Sequence, residues 1–293
     1  MIKLIANPIA GRGRGGKILP QVQEALNRAG LEFSEAVTTK PLEAIDLARQ
    51  AAEEGYQLVV ALGGDGTSHE VANGLLSSGK SDVALGMIPI GTGNDFASMF
   101  DTPTDLTALC QRFRRGKSRL IDVGLINDRY FVNMVGVGFD ALASIEALKI
   151  QSLLSGLPLY LLAVLLTLRR YEVPHITADL DGEKISMTMT ILCVANGKRE
   201  GGGFLMAPDA ENDDGIFDIC LARGLGRLEI LRLLPELMRG THVDKEPVTM
   251  ARAKRVVIDS PDPLPVHADG EIIYTDAHHL EIEIIPRRLR VIT

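Results

Sequence analysis

Three glycine-rich segments carry the residues whose types and spacing can do chemistry. They are Gly11-Arg12-Gly13-Arg14-Gly15-Gly16-Lys17, Gly63-Gly64-Asp65-Gly66-Thr67 and Pro89-Ile90-Gly91-Thr92-Gly93-Asn94-Asp95, and each follows a short apolar run. Glycine lets backbone N–H groups approach a ligand closely, and a helix opening at such a loop adds the positive end of its dipole, so the pattern suits phosphate oxygens. The second and third loops each pair one threonine, Thr67 or Thr92, with one carboxylate, Asp65 or Asp95. Hydroxyls donate to phosphate oxygens, and carboxylates organise a cation.

The first loop reads as GxGxxG and as GxxxxGK at once. The second of these patterns requires Ser or Thr after the lysine to hold magnesium, and Ile18 stands there; the first requires a ribose-binding acid, for which Glu32 and Glu35 are the candidates. A solvated strand-to-helix turn is a third reading of the same residues. Near the C-terminus, Asp269-Gly270-Glu271 has the composition of a hairpin turn followed by a solvated glutamate. It is also a place where a carboxylate could take a proton from an attacking hydroxyl. His69 has no second His or Cys nearby to make a metal site, and the adjacent His278 and His279 read as strand or turn.

Strands and helices must position these loops. Over the first 120 or so residues, the apolar runs Leu4-Ile5-Ala6, Leu58–Leu62 and Ala84–Ile88 alternate with helical spacings such as Ile18, Val22, Leu26, Ala29 and Ala44, Leu47, Ala48, Ala51. Such alternation predicts a Rossmann-like α/β domain with a parallel sheet, whose ligands bind beyond the carboxyl ends of the strands. After about Leu120 the texture turns β-rich, which predicts a mostly antiparallel second domain. Helical segments interrupt it around residues 140–171 and 226–239; the latter places Leu228, Leu231, Leu234 and Met238 on one face, with Pro235 as a candidate kink. The pattern change divides the chain into residues 1–121, rejoined by a tail of about 282–293, and residues 122–281.

Composition narrows the function classes. The 293 residues exceed one typical domain, and 46% hydrophobic with 24% charged residues is ordinary globular usage. A net charge of −7 gives no general reason to coat nucleic acid. Cys110, Cys193 and Cys220 match neither CxxC nor a zinc spacing, which fits a reducing cytoplasm, and the opening MIKLIANP is too short an apolar run for a signal peptide. Leu153–Leu168 falls short of the roughly 20 residues that span a bilayer and reads as a buried helix or an apolar lid that touches lipid, followed by Arg169 and Arg170. A basic run from Arg112 to Arg119 reads as a solvated helix end or as an attractor of anionic headgroups, and Gly201-Gly202-Gly203 as a lip over a substrate or a plain hairpin.

The strings NPIAGRGRGG, GGDGTSHEVANGL, GMIPIGTGNDFA, APDAENDDGIFDI and HADGE, in that order, resemble the diacylglycerol kinase catalytic family, which includes bacterial soluble lipid kinases and sphingosine and ceramide kinases. GGDG alone is shared with NAD kinases and phosphofructokinases; the later motifs favour the lipid kinases. The resemblance implies a phosphofructokinase/NAD kinase-like α/β domain, a C-terminal β-sandwich, and transfer of the γ-phosphate of ATP to a lipid hydroxyl in a cleft between the two. It implies that Asn7, Gly11, Thr38, Gly63, Gly64, Asp65, Gly66, Thr67, Ser68 and Thr92 hold the nucleotide, and that Asp65 and Asp95 position Mg2+ through water. Glu271 is implied as general base, and Asp214, the Ile216 carbonyl and Glu211 as holders of a structural cation. The expected partners are a lipid or lipid-like alcohol, the inner membrane surface and a second copy of the chain as a homodimer. His69 departs from the family, which usually has Asn there. An NAD kinase-like enzyme with a soluble acceptor and a non-catalytic nucleotide sensor are the competing readings.

Overall fold

Strand β1 (Ile2–Ala6) buries four of its five residues, and α1 (Ala10–Arg28) packs Val22 and Leu26 beneath it. The computed structural model describes residues 1–150 and 157–293. The chain then runs through β2 (Phe33–Val37), α2 (Glu43–Glu53), β3 (Leu58–Gly63), α3 (Asp65–Ser77), β4 (Ala84–Pro89), α4 (Asp95–Ser98) and α5 (Leu106–Arg115) into β5 (Ser118–Ile126). It continues as β6 (Arg129–Phe131), β7 (Met134–Gly138), α6 (Phe139–Ile150), α7 (Leu157–Thr167), β8 (His175–Leu180) and β9 (Glu183–Ala195). Last come β10 (Phe217–Arg223), α8 (Arg227–Arg239), β11 (Val248–Ala253), β12 (Arg255–Ala268) and β13 (Glu271–Ile292). Two compact units result, residues 1–123 with 286–293 and residues 124–285.

The first unit is the α/β domain. Its strands β2, β1, β3 and β4 lie in that spatial order and all pair in parallel, and Arg290 and Val291 of the returning β13 add alongside Ala84 and Leu85. Strand β3 is buried at all six positions, as a central parallel strand covered on both faces should be. Helix α2 presents Ala44, Ala48, Ala51 and Ala52 to its neighbour, and α3 answers with Gly74, where a Cβ would stand 2.2 Å from the Ile45 carbonyl oxygen. Small residues on both sides let the two helices approach closely. Asp122, fully buried on β5, accepts the Arg287 N–H at 2.7 Å and so pins the returning strand.

The second unit is a mostly antiparallel β-sandwich. Strand β9 sends Leu192 and Val194 into one core and Ile191, Cys193 and Ala195 into another, the two-residue alternation of a strand covered on both faces. The first core is closed by β8, β12 and β13, with Phe131 stacked on Phe217 at 5.5 Å between ring centroids. The second is closed by α6, α7 and α8. Deleting most of a side chain such as Leu192, fully buried, costs about 2–5 kcal/mol by the usual cavity arithmetic.

One feature of the helices differs from expectation. Helix α8 buries Ile230, Leu233, Leu234 and Leu237, while Leu228 is 68% exposed. This leucine-rich helix offers two competing stripes, and packing against the second core selects the one spaced i, i+3, i+4, i+7. The apolar segment around residues 153–168 is described only from Leu157, as α7; its Leu153–Gly156 part lies outside the described residues. No helix of the described residues is long and apolar enough to cross a membrane.

Candidate active site

Because β3 lies between β1 and β4 with all three parallel, the glycine-rich loops leave neighbouring strand ends, with Ala6 opposite Leu62 and Gly63 opposite Pro89. The first loop turns sharply, with positive φ at Gly11, Arg12 and Gly13 (58°, 60° and 82°), and α1 becomes regular only beyond them. A Cβ at Gly11 would stand 2.4 Å from the Ile90 carbonyl oxygen, and one at Gly15 2.0 Å from that of Asn7, so backbone contact demands glycine at both. Around Gly13 nothing lies within 4 Å of where a Cβ would be, which leaves that stretch of backbone open to a ligand.

The polar residues expected at the nucleotide are knitted into these loops. Asn7 donates from Nδ2 to Thr67 Oγ1 at 3.1 Å and accepts the Ile9 N–H at 3.2 Å through Oδ1, tying the first loop to the second. Asp65 reaches the third: its Oδ2 accepts the Asn94 N–H at 2.7 Å and its Oδ1 the Phe96 N–H at 3.1 Å. Its carboxylate therefore caps the turn that begins α4, where the first backbone amides have no helical partner. Asn94, with φ of 55°, is clamped by reciprocal bonds to Gly91 at 2.9 and 3.0 Å. Thr67, Ser68 and Asp95 are buried, whereas Thr92 is exposed. Thr38 is buried and directs its hydroxyl to the Ala6 carbonyl at 3.4 Å, and Gly63 admits the Thr67 side chain, 2.2 Å from where its own Cβ would stand. His69 is buried beside Asn73, Nε2 to Nδ2 at 3.3 Å, and Glu70 accepts the Leu42 and Ala44 N–H groups at the start of α2.

In the second unit, Asp269 and Gly270 are the two central residues of the β12–β13 hairpin, Ala268 facing Glu271, with φ of 52° and 85°. This is the two-residue turn the Asp-Gly pair favours, and Glu271 emerges from it exposed. Asp269 does more than turn the chain. Its carboxylate accepts the N–H groups of Val132, Asn133 and Met134 at 2.9, 2.8 and 3.1 Å.

Asp214 and Glu211 meet in a surface concavity lined also by Asp209, Asp218 and Arg252. Asp214 pairs with Arg252 and accepts the Ile216 N–H at 3.3 Å through Oδ1, so Asp214 and Ile216 form one tight turn. Burial pushes the Asp218 carboxyl up; Arg252 pulls it back, and Asp214, Asp209 and Glu211 add to the rise. Four carboxylates against a single guanidinium, all oxygen donors, fit a hard cation such as Mg2+.

Residues 1–126 match a family profile described as the diacylglycerol kinase catalytic domain, and residues 133–293 one described as a YegS C-terminal NAD kinase beta sandwich-like domain. A diacylglycerol kinase of Bacillus subtilis (strain 168) is 32% identical over 92% of this chain and 89% of its own length. The chain belongs to the diacylglycerol kinase family. Another diacylglycerol kinase, from Mycobacterium tuberculosis (strain ATCC 25618 / H37Rv), is 32% identical over 99% of this chain and 94% of its own. The crystal structure of a diacylglycerol kinase from Bacillus anthracis str. Sterne shares the fold, with a TM-score of 0.76 at 22% identity, covering 99% of this chain and 96% of that one. Yeast NADH kinase is a more distant fold relative, with a TM-score of 0.50 at 11% identity over 99% of this chain and 82% of that one.

For this kinase, sequence reasoning missed a buried polar cluster: Asp140, Glu200 and His267 bring one ligand-type atom each within 4.8 Å of the others. Burial pushes the Asp140 carboxyl up, but hydrogen bonds from His267 and from the Tyr160 hydroxyl outweigh it and hold it below the usual carboxylate range. The Tyr160 hydroxyl, buried beside that carboxylate, is pushed well above its ordinary value and stays a donor. The sequence hint was His267, a polar residue among the apolar positions of β12; Asp140 on α6 and Glu200 in the turn after β9 carried none. Gly201–Gly203 close as a tight turn, Glu200 and Phe204 exchanging both backbone bonds at 2.9 Å.

Proposed function

We propose that this chain transfers the γ-phosphoryl group of ATP to the hydroxyl of a lipid or lipid-like alcohol such as diacylglycerol. The observation that carries the reading is the convergence of three glycine-rich loops at adjacent carboxyl ends of β1, β3 and β4 in a member of the diacylglycerol kinase family. Names of relatives support the acceptor class, since the Bacillus and Mycobacterium proteins are called diacylglycerol kinases.

In this reading Asn7, Gly11, Thr38, Gly63 to Ser68 and Thr92 hold the nucleotide, with exposed Arg12, Arg14 and Lys17 adding positive charge near the first loop. Asp65 and Asp95 are the residues that would position Mg2+ at the phosphates, and Asp214, Glu211 and the Ile216 carbonyl a second, structural cation. Bound with ATP, Mg2+ supplies charge neutralisation. Glu271 accepts the acceptor's hydroxyl proton as that oxygen bonds to the γ-phosphorus and the bond from phosphorus to the β,γ-bridging oxygen breaks, releasing ADP. Exposed Leu148, Leu161 and Leu165, with Arg169 and Arg170 following, would bring the enzyme to the membrane surface that holds its acceptor.

The test is transfer of radiolabelled γ-phosphate from ATP to a panel of detergent-dispersed lipids, with NAD as a soluble acceptor alongside. A labelled lipid product is expected, reduced at least about a hundredfold in Glu271→Gln while ATP affinity holds. Labelled NADP and no labelled lipid would replace the reading with that of an NAD kinase; ATP binding with no transfer at all would leave a nucleotide sensor.

A further inference from the structure

His267 lies on β12, fully buried, and each of its ring nitrogens has a defined partner. Nδ1 accepts the N–H of Gly270 at 3.3 Å. Nε2 stands 3.0 Å from Asp140 Oδ2 and 3.0 Å from Glu200 Oε1. A backbone amide can only donate, so Nδ1 presents its lone pair and the proton of the neutral ring sits on Nε2, toward the carboxylates. Asp140 completes the network by accepting the Tyr160 hydroxyl at 2.6 Å through Oδ1.

This tautomer decides between two uses of the cluster. A metal ion at Nε2 needs that nitrogen's lone pair, and histidine ligands ordinarily donate an N–H from the other nitrogen to an acceptor. Here the other nitrogen already receives an N–H, so a metal would require a doubly deprotonated ring. The arrangement is that of a histidine locked in place, and Gly136, opposite His267 in the β7–β12 ladder, makes room for it: a Cβ there would stand 2.1 Å from Nε2.

What the lock holds is the Asp269–Gly270 peptide, one residue ahead of Glu271. The Asp269-Gly270 turn is gripped on one side by the three N–H groups that Asp269 accepts and by the Asp269 N–H on the Met134 carbonyl at 2.8 Å. On the other side the described grip is His267 on Gly270. We infer that His267 is a positioning residue that, through Gly270, fixes the orientation in which Glu271 is presented. The inference rests on the reading of Glu271 as the base. Misplacing a reacting group by about 1 Å can cost on the order of a hundredfold in rate, so a single hydrogen bond at this peptide has leverage.

Two substitutions separate this role from packing. In His267→Asn the Oδ1 atom replaces Nδ1 and keeps the Gly270 contact while the donor to Asp140 and Glu200 is lost. In His267→Gln the side-chain amide reaches the carboxylates but no acceptor remains for Gly270. We expect His267→Asn to melt lower yet keep kcat within about threefold, and His267→Gln to melt near wild type yet lose on the order of tenfold or more in kcat with both KM values unchanged. Hydrogen exchange at the Gly270 amide, read by NMR, should stay protected in the first and quicken in the second. In the Glu271→Gln background, adding His267→Gln should slow the residual transfer no further. Losses of kcat that follow melting temperature instead of Gly270 protection, or additive losses in the double variant, would overturn the inference. Absence of transfer by the wild-type protein would instead refute the kinase reading, and the exchange measurement would still report on the His267–Gly270 bond.

Discussion

Gly64 and Gly91 meet backbone to backbone: a Cβ built on Gly91 would lie 2.7 Å from the Gly64 Cα and 2.9 Å from Asn94 Oδ1. The second and third loops are thus held against each other by the absence of side chains. Gly91→Ala should destabilise the fold by about 1–3 kcal/mol, the ordinary range for overpacking, and weaken ATP binding in parallel. Gly13→Ala, with open space but a φ of 82°, should cost only the left-handed penalty of about 1–2 kcal/mol. Urea denaturation with and without ATP separates the two effects. Equal ATP affinity in wild type and Gly91→Ala would mean that the spacing of these loops does not matter to the nucleotide.

The acidic concavity around Asp214 should respond to metal. Arg252 already neutralises one of its four carboxylates, so a divalent cation joins the remaining charge. Millimolar Mg2+ is expected to stabilise the wild type, by roughly 2.7 kcal/mol where it reaches a hundred times its Kd, read out as a higher melting temperature, and Asp214→Asn should lose most of that stabilisation. An equal Mg2+ response in the variant would remove Asp214 from the cation site.

How far the sequence could be read follows from which constraints are local. Gly11, Gly91, Asp269 and Gly270 announce themselves because positive φ or backbone contact is a demand on a single residue type. Strand and helix alternation is likewise a short-range signal, and it placed the three loops at one edge of a parallel sheet. The Asp140, Glu200 and His267 cluster was invisible because its members come from α6, the turn after β9, and β12. Only the registers of β7 with β12 and of β7 with β9 bring those segments together. Arg252 is the same case, since it meets the acidic turn through the register that sets it opposite Asp218. Glu70, on α3 just past the second loop, directs its carboxylate to the Leu42 and Ala44 amides, a use that depends on where α2 begins.

One histidine gives the fold a pH dependence of definite sign. Burial pushes His242 below its ordinary value, against the opposing pull of the Met206 and Glu236 carbonyls and the Glu236 charge. Between that lowered value and the unfolded value of about 6.5, the unfolded chain binds more protons than the folded one, so stability falls as pH falls through this window. Exposed His279 has the opposite sign, since Asp259 raises it and its small contribution is present at low pH and lost as pH rises. Urea midpoints at pH 7 and pH 5.5 should therefore drop less in His242→Gln, which can keep a donor to the Met206 carbonyl, than in wild type. An unchanged drop would show that His242 is not the titrating group.

Helix α7 is apolar all round, and packing uses only part of it. Ala163 and Val164 are buried, while Leu161 and Leu165, one turn apart, are 36% and 50% exposed. Leu148 at the end of α6 is 50% exposed as well, and Arg169 and Arg170 follow α7 at the surface. An apolar ridge beside cations suits a surface of acyl chains beneath anionic headgroups. The protein should co-sediment with vesicles containing phosphatidylglycerol more than with purely zwitterionic ones. Leu161→Glu with Leu165→Glu should abolish that binding while changing stability by no more than about 0.5 kcal/mol per exposed site. Replacing Arg169 and Arg170 by Gln should weaken it by about 1 kcal/mol each at physiological salt. The same variants should transfer phosphate normally to a short-chain acceptor dispersed in detergent and poorly to one embedded in vesicles. Vesicle binding that survives both pairs of substitutions would place the membrane contact elsewhere on the chain.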